Sequence, residues 1–149
     1  MKTISVTAFL LATATSTFAA PSPTKSELQP LQLTNLNAGI YYTSLPQTCL
    51  LSFEIKDPNT NVETTCSTYW SVGMAGNKTS DCSNKAYQLH LPNGIYNIEE
   101  FDIGVSRADG SESGRSTVTG ESWKCVKEEP PKARCKWDGI FELDVAPSA

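Results

Sequence analysis

The sequence predicts an all-β protein, a single-domain antiparallel β-sandwich or barrel. Two observations carry this. Apolar and polar residues alternate through most of the chain after residue 30, the period of half-buried strands. Turn signals separate the alternating runs at a spacing of roughly 8 to 12 residues, and no stretch longer than a turn or two has a helical period.

The N-terminal stretch "MKTISVTAFLLATATSTFAAPSP" places Lys2 before a short apolar run and then small residues. This is the layout of a secretory signal peptide. The apolar run falls short of the roughly 20 residues that span a bilayer. Residues 1–19 are expected to be removed, residues 20–30 to form a flexible lead-in, and residues 31–149 to form the β-domain.

In "CLLSFEIK" one face carries Cys49, Leu51, Phe53 and Ile55. "DPNTN" supplies turn chemistry, and "VETTCSTYW" resumes a β-branched and aromatic run, so the two read as a hairpin. "KAYQLHL" places Tyr87, Leu89 and Leu91 on one face and His90 on the other. Pro92-Asn93-Gly94 is a turn signal. "IEEFDIGVSR" turns Phe101, Ile103 and Val105 inward, and "ADGSESG" is a polar hairpin tip. "RSTVTGESWKCV" and "RCKW" are expected to face each other across "KEEPPKA". The last strand, "GIFELDV", points Phe141, Leu143 and Val145 inward.

The full chain carries 12 Lys+Arg and 16 Asp+Glu, a formal net charge of −4. Interspersed acidic charge argues against nucleic acid or an anionic membrane as partner. Among the five cysteines, Cys49, Cys66, Cys82, Cys125 and Cys135, no C-x-x-C pair occurs, which removes a thioredoxin-type redox centre. With His90 the one histidine, neither a structural zinc site nor a paired-histidine nuclease is available. The adjacent carboxylates Glu99-Glu100 and Glu128-Glu129 point to opposite faces of a strand or lie in turns, so no acid pair for glycoside hydrolysis is evident. No cofactor and no metal is implied.

Export implies oxidising compartments, where structural disulfides form. The polar loop between Cys66 and Cys82 therefore reads as a stapled surface segment. Its Asn77-Lys78-Thr79 tripeptide is an N-glycosylation acceptor, predicting a glycan at Asn77. Trp70, Trp123 and Trp137 lie close in sequence to cysteines. The plain expectation is that they pack over disulfides in the core, and the alternative is a surface platform for a sugar ring or a protein partner.

Together, "DPNTNVETTCSTYW…C", "FDIGV" and "WKC…RCKW" resemble the Alternaria major-allergen family of fungal secreted proteins, over roughly residues 31–147. In that resemblance Cys66 and Cys82 match the family's first disulfide and Cys125 and Cys135 its second. The family implies a disulfide-stapled β-protein with no established catalytic centre. Its members act as allergens, elicitors or effectors that bind plant defence proteins, and some take flavonoid-like ligands. Family members also carry a cysteine nearer the N-terminus that links two chains. Cys49 instead follows the inward parity of Leu51 and Phe53, so it is expected to be unpaired and buried, and the covalent dimer is not carried over. Cys125 and Cys135 flank a hairpin tip and can face each other across two strands, within disulfide reach.

The expected function is thus that of a secreted, non-enzymatic effector acting on a host extracellular defence protein, as a monomer or weak homo-oligomer. The alternatives are a small carbohydrate-active enzyme or a carbohydrate- or small-ligand-binding module.

Overall fold

A computed structural model describes residues 28–41, 48–71, 78–128 and 132–147. The proposed signal peptide, most of the lead-in and Asn77 lie outside them. The described chain is all-β, with strands β1 (Leu31–Tyr41), β2 (Thr48–Asp57), β3 (Val62–Ser71), β4 (Lys78–Asp81), β5 (Tyr87–Leu91), β6 (Phe101–Arg107), β7 (Ser113–Val118), β8 (Trp123–Glu128), β9 (Lys132–Trp137), β10 (Phe141–Leu143) and β11 (Val145–Ala146).

These strands form two antiparallel sheets and not a closed barrel. The first has the order β3-β2-β1-β9-β8, with β10 also paired to β1; the second has the order β11-β7-β6-β5-β4. Alternation decides which side chains lie between them. Cys49, Leu51, Phe53 and Ile55 are buried from β2, Tyr87, Leu89 and Leu91 from β5, and Phe101, Ile103 and Val105 from β6, as their parity predicts. The β2–β3 hairpin pairs Asp57 with Val62 around the predicted "DPNTN" turn.

Three features depart from simple alternation. Strand β1 buries Leu31 and Leu33, then Leu36 and Ala38. The register with β2 slips between Thr34 and Asn37, and Asn35 has a φ of 52°. This β-bulge absorbs one residue and inverts the face parity. Second, "RSTVTGESWKCV" is not one strand. Ser113–Val118 pairs with β6 in the second sheet, whereas Trp123–Glu128 pairs with β9 in the first. The break falls at Gly120, with a φ of 92°, where the chain crosses between sheets. Third, "GIFELDV" also changes sheets, since Phe141–Leu143 pairs with β1 while Val145 and Ala146 pair with β7.

Both expected disulfides are present, Cys66–Cys82 and Cys125–Cys135. Cys125 and Cys135 are direct cross-strand partners within one sheet. Cys66–Cys82 instead ties β3 of the first sheet to the residue that follows β4 of the second. Beside it, Ser83 N–H donates to the Thr65 carbonyl at 2.8 Å and the Ser80 hydroxyl to Thr68 Oγ1 at 2.9 Å. Two disulfides are the mark of an extracellular or secretory-pathway protein. No helix among the described residues is long and apolar enough to cross a membrane.

Candidate functional site

Cross-strand registry aligns a row of side chains on the outer face of the first sheet. Tyr69 lies opposite Leu50, Leu50 opposite Gly39, Gly39 opposite Arg134 and Arg134 opposite Val126. Five strands at about 4.8 Å spacing make this row about 19 Å long. Tyr69 is 62% and Val126 60% exposed.

Gly39 would leave a gap, and Tyr41 fills it. A Cβ at Gly39 would lie 3.0–3.1 Å from the Tyr41 ring carbons and hydroxyl, so the ring lies over the glycine. The Arg134 guanidinium sits 5.9 Å from the centroid of that ring, within cation–π range. The result is a strip of two tyrosines and two aliphatic side chains, with an arginine among them.

One end of the strip is basic. Lys124 and Lys136 are cross-strand partners in the adjacent row, beside Arg134. Like charges facing each other across strands are destabilising. Lys124 is partly compensated by Asp138 at 2.6 Å, whose carboxyl is held below its usual range by Lys124. A cleft of about 340 Å³ lies between Val126, Arg134, Lys136 and Trp137 on this end. The Cys125–Cys135 bond clamps the hairpin that carries these residues.

The tryptophans follow the plain expectation in part. Trp70 and Trp123 are buried, and Trp123 meets Phe101 edge-on at 5.8 Å. Trp137 is half-buried and meets Phe141 edge-on at 4.7 Å. The prominent exposed aromatics are Tyr69 and Tyr96. Tyr69 was open to detection, because its parity is opposite to that of Cys66 and Trp70. Cys49 is free and buried, and burial pushes its thiol pKa up, which disfavours the reactive thiolate.

His90 lies on the outer face of the second sheet. Its Nε2 is 2.6 Å from the Ser106 hydroxyl and its Nδ1 is 3.3 Å from Thr79 Oγ1. A nucleophilic triad needs a carboxylate where Thr79 stands. Two carboxyl groups do converge elsewhere. Asp57 is 0% and Glu112 2% exposed, packed between the β2–β3 and β6–β7 turns. Asp57 accepts hydrogen bonds from Tyr87 and Thr60, both at 2.6 Å, and Asn59 Nδ2 donates to Glu112 at 3.1 Å. Burial and the neighbouring Asp57 carboxyl push Glu112 up to about 7. Sequence reasoning missed this pair, since both residues sit in segments that read as polar turns. Being buried, the pair is closed to the water and the sugar ring that hydrolysis needs. Among the described residues no cluster of three or more His, Cys, Asp or Glu is arranged to hold a metal ion.

No family model, no curated protein and no solved structure matches the chain.

Proposed function

We propose that this chain is a secreted recognition protein of the Alternaria major-allergen type, acting as a non-enzymatic effector through the outer face of its first sheet. The observation that carries this reading is the registered row Tyr69, Leu50, Tyr41 over Gly39, Arg134 and Val126. Tyrosine and arginine are the residues that dominate protein interfaces. Rigid strands present them at little ordering cost.

The basic end selects the partner. Lys124, Arg134 and Lys136 concentrate positive charge on a chain whose formal net charge is −4. The fitting partner is an extracellular host defence protein with an acidic surface around an apolar centre. The putting together of His90 with Ser106 and of Asp57 with Glu112 leaves each pair short of a catalytic requirement, which favours binding over turnover.

The test is capture from plant apoplastic fluid on the immobilised protein, on Tyr69→Ala and on Arg134→Glu. A partner retained by the native chain should fall by about tenfold or more on both variants and weaken with rising salt. Retention unchanged on both variants overturns the reading.

A further inference from the structure

A second surface, on the other sheet, is built differently. Residues 92–100 connect β5 to β6. Gly94 has a φ of 67° and its N–H donates to the Leu91 carbonyl at 2.9 Å, closing the turn. Ile95 and Ile98 are each 3% exposed, whereas Tyr96 between them is 81% exposed. The Trp123 indole N–H donates to the Ile98 carbonyl at 2.8 Å. The Asn97 side chain accepts from the Glu99 N–H at 3.0 Å. The loop is thus pinned at both isoleucines and by a buried tryptophan, and it holds a large aromatic ring in water. The backbone beneath Tyr96 is ordered before any ligand arrives, so binding has only the ring's own rotamer freedom to remove.

Beside the ring is a cleft of about 340 Å³ with Asn93, Asn97, Glu100, Asp102 and Thr117 along its walls. Asp102 is fixed by Thr117 Oγ1 and by Arg115, each at 2.7 Å, and by the Asn93 amide. Hydrogen bonds from Thr117 and Arg115 hold its carboxyl below the usual range. Asn93, Asn97 and Glu100 are exposed at this cleft, so its walls carry amide groups, which both donate and accept, and a carboxylate.

We infer that the Tyr96 cleft is a binding site for a neutral saccharide. A tyrosine face matches the C–H face of a pyranose ring. Amide and carboxylate groups match hydroxyls, which donate and accept at once. The volume is at the lower end of the roughly 300–1,000 Å³ of small-ligand sites, which suits a short oligosaccharide segment. Glu100 disfavours uronic acids and sulfated sugars by like charge, since Asp102 is already paired with Arg115. A protein hot spot would need a wider apolar ring around its anchor, and at this cleft Tyr96 is the one exposed large apolar group. Glu100 and Asp102 both border the cleft, but Asp102 is saturated with donors and held ionised, so it is not set up as the protonated acid of a hydrolase.

The test is a titration of the full mature chain with cellohexaose, chitohexaose and xylohexaose, followed by amide chemical shifts, with a galacturonic acid oligomer as the anionic control. At least one neutral hexaose should shift the signals of residues 93–102 and 117 saturably, at sub-millimolar to millimolar concentration. Tyr96→Ala should weaken this by about tenfold or more, Tyr96→Trp should preserve it, and Tyr69→Ala should leave it unchanged. No saturable shift with any of the three, equal binding of the anionic oligomer, or an undiminished response in Tyr96→Ala overturns the inference. Because Tyr69 lies on the first sheet and Tyr96 in the β5–β6 connection of the second, failure here is distinct from failure of the protein-binding face.

Discussion

Glu112 sits in a hairpin tip yet is 2% exposed. Its Oε2 accepts from Asn59, while Oε1 has no donor among the described residues. Its neighbour there is Asp57, so a proton shared between the two carboxyls satisfies both, with Glu112 as the acid. Asp57 is pulled up by burial, but hydrogen bonds from Thr60, Tyr87 and Glu112 outweigh that and hold it below its ordinary value. Tyr87, buried against Asp57, is raised to about 12 and stays a donor throughout. The two acids act on stability in opposite senses. Glu112 is raised from 4.5 to about 7, so its contribution is full below about 4.5 and is lost as pH rises through about 7. Asp57 is lowered from 3.8, so its contribution is present above that value and is lost as pH falls through the folded value. The windows overlap between 3.8 and 4.5. Thermal unfolding should therefore show a maximum in mild acid and a decline toward pH 8, amounting to at most about 3 kcal/mol from this group. Glu112→Gln keeps an acceptor for Asn59 and supplies an N–H toward Asp57 without titrating. It should flatten the decline between pH 4.5 and 7 and raise the melting temperature at pH 8. Parallel profiles for the two proteins would remove the shared-proton account.

At the scale of elements, legibility in the sequence tracked how local the cause is. The β2–β3 hairpin was readable because its parity and its "DPNTN" turn are both local. The parity of β5 and β6 was equally plain. Strand β1 was not, because a single residue at Asn35 inverts its faces, and "LQLTNLNAGI" then alternates in two phases. The two sheet changes escaped for another reason. Gly120 and Asp144 are local marks of a break, but neither carries a mark of which partner strand each half will find. Of the candidate recognition surfaces, Tyr69 was legible from parity, whereas Tyr96 depends on Ile95 and Ile98 both turning into the core. The β10–β11 crossing has a sharp requirement. A Cβ at Gly114 would lie 2.4 Å from the Asp144 carbonyl oxygen and 2.9 Å from Val145 Cγ1, and the first of these is backbone that cannot rotate away. Gly114→Ala should cost about 2–3 kcal/mol, read by urea unfolding. By contrast, a Cβ at Gly120 meets nothing within 4 Å, and Gly120→Ala should cost about 1 kcal/mol through its positive φ alone. Equal losses in the two variants would show that crowding at the crossing is not what Gly114 relieves.

For the whole molecule, the two disulfides close loops of similar length, with sequence separations of 16 and 10. Chain entropy alone then assigns each about 3 kcal/mol. Their positions in the fold differ more than their loops. Cys125–Cys135 lies inside a hairpin of six registered pairs, Trp123↔Trp137 through Glu128↔Lys132. Those hydrogen bonds hold the strands together with or without the bond. Cys66–Cys82 joins β3 to the residue that follows β4, and β3 and β4 are edge strands of different sheets that share no ladder. There the bond is supplemented by the Ser83–Thr65 backbone hydrogen bond and side-chain contacts at Thr64 and Thr68. Replacing either pair by serine should lower global stability by a similar amount, because the unfolded chain gains similar freedom. Local opening should separate them. Without Cys125–Cys135, amide exchange in β8 and β9 should stay close to the global rate. Without Cys66–Cys82, β4, paired on one side to β5 alone, should exchange well before the rest of the second sheet. The Tyr69 face should then lose rigidity at its β3 end, weakening partner capture, while saccharide binding at Tyr96 persists, since its loop is pinned through Trp123. Hydrogen-exchange mass spectrometry on the two double variants measures this. Exchange in β4 that matches the native protein's after loss of Cys66–Cys82 would mean that side-chain packing between the sheets, and not the bond, holds that edge closed.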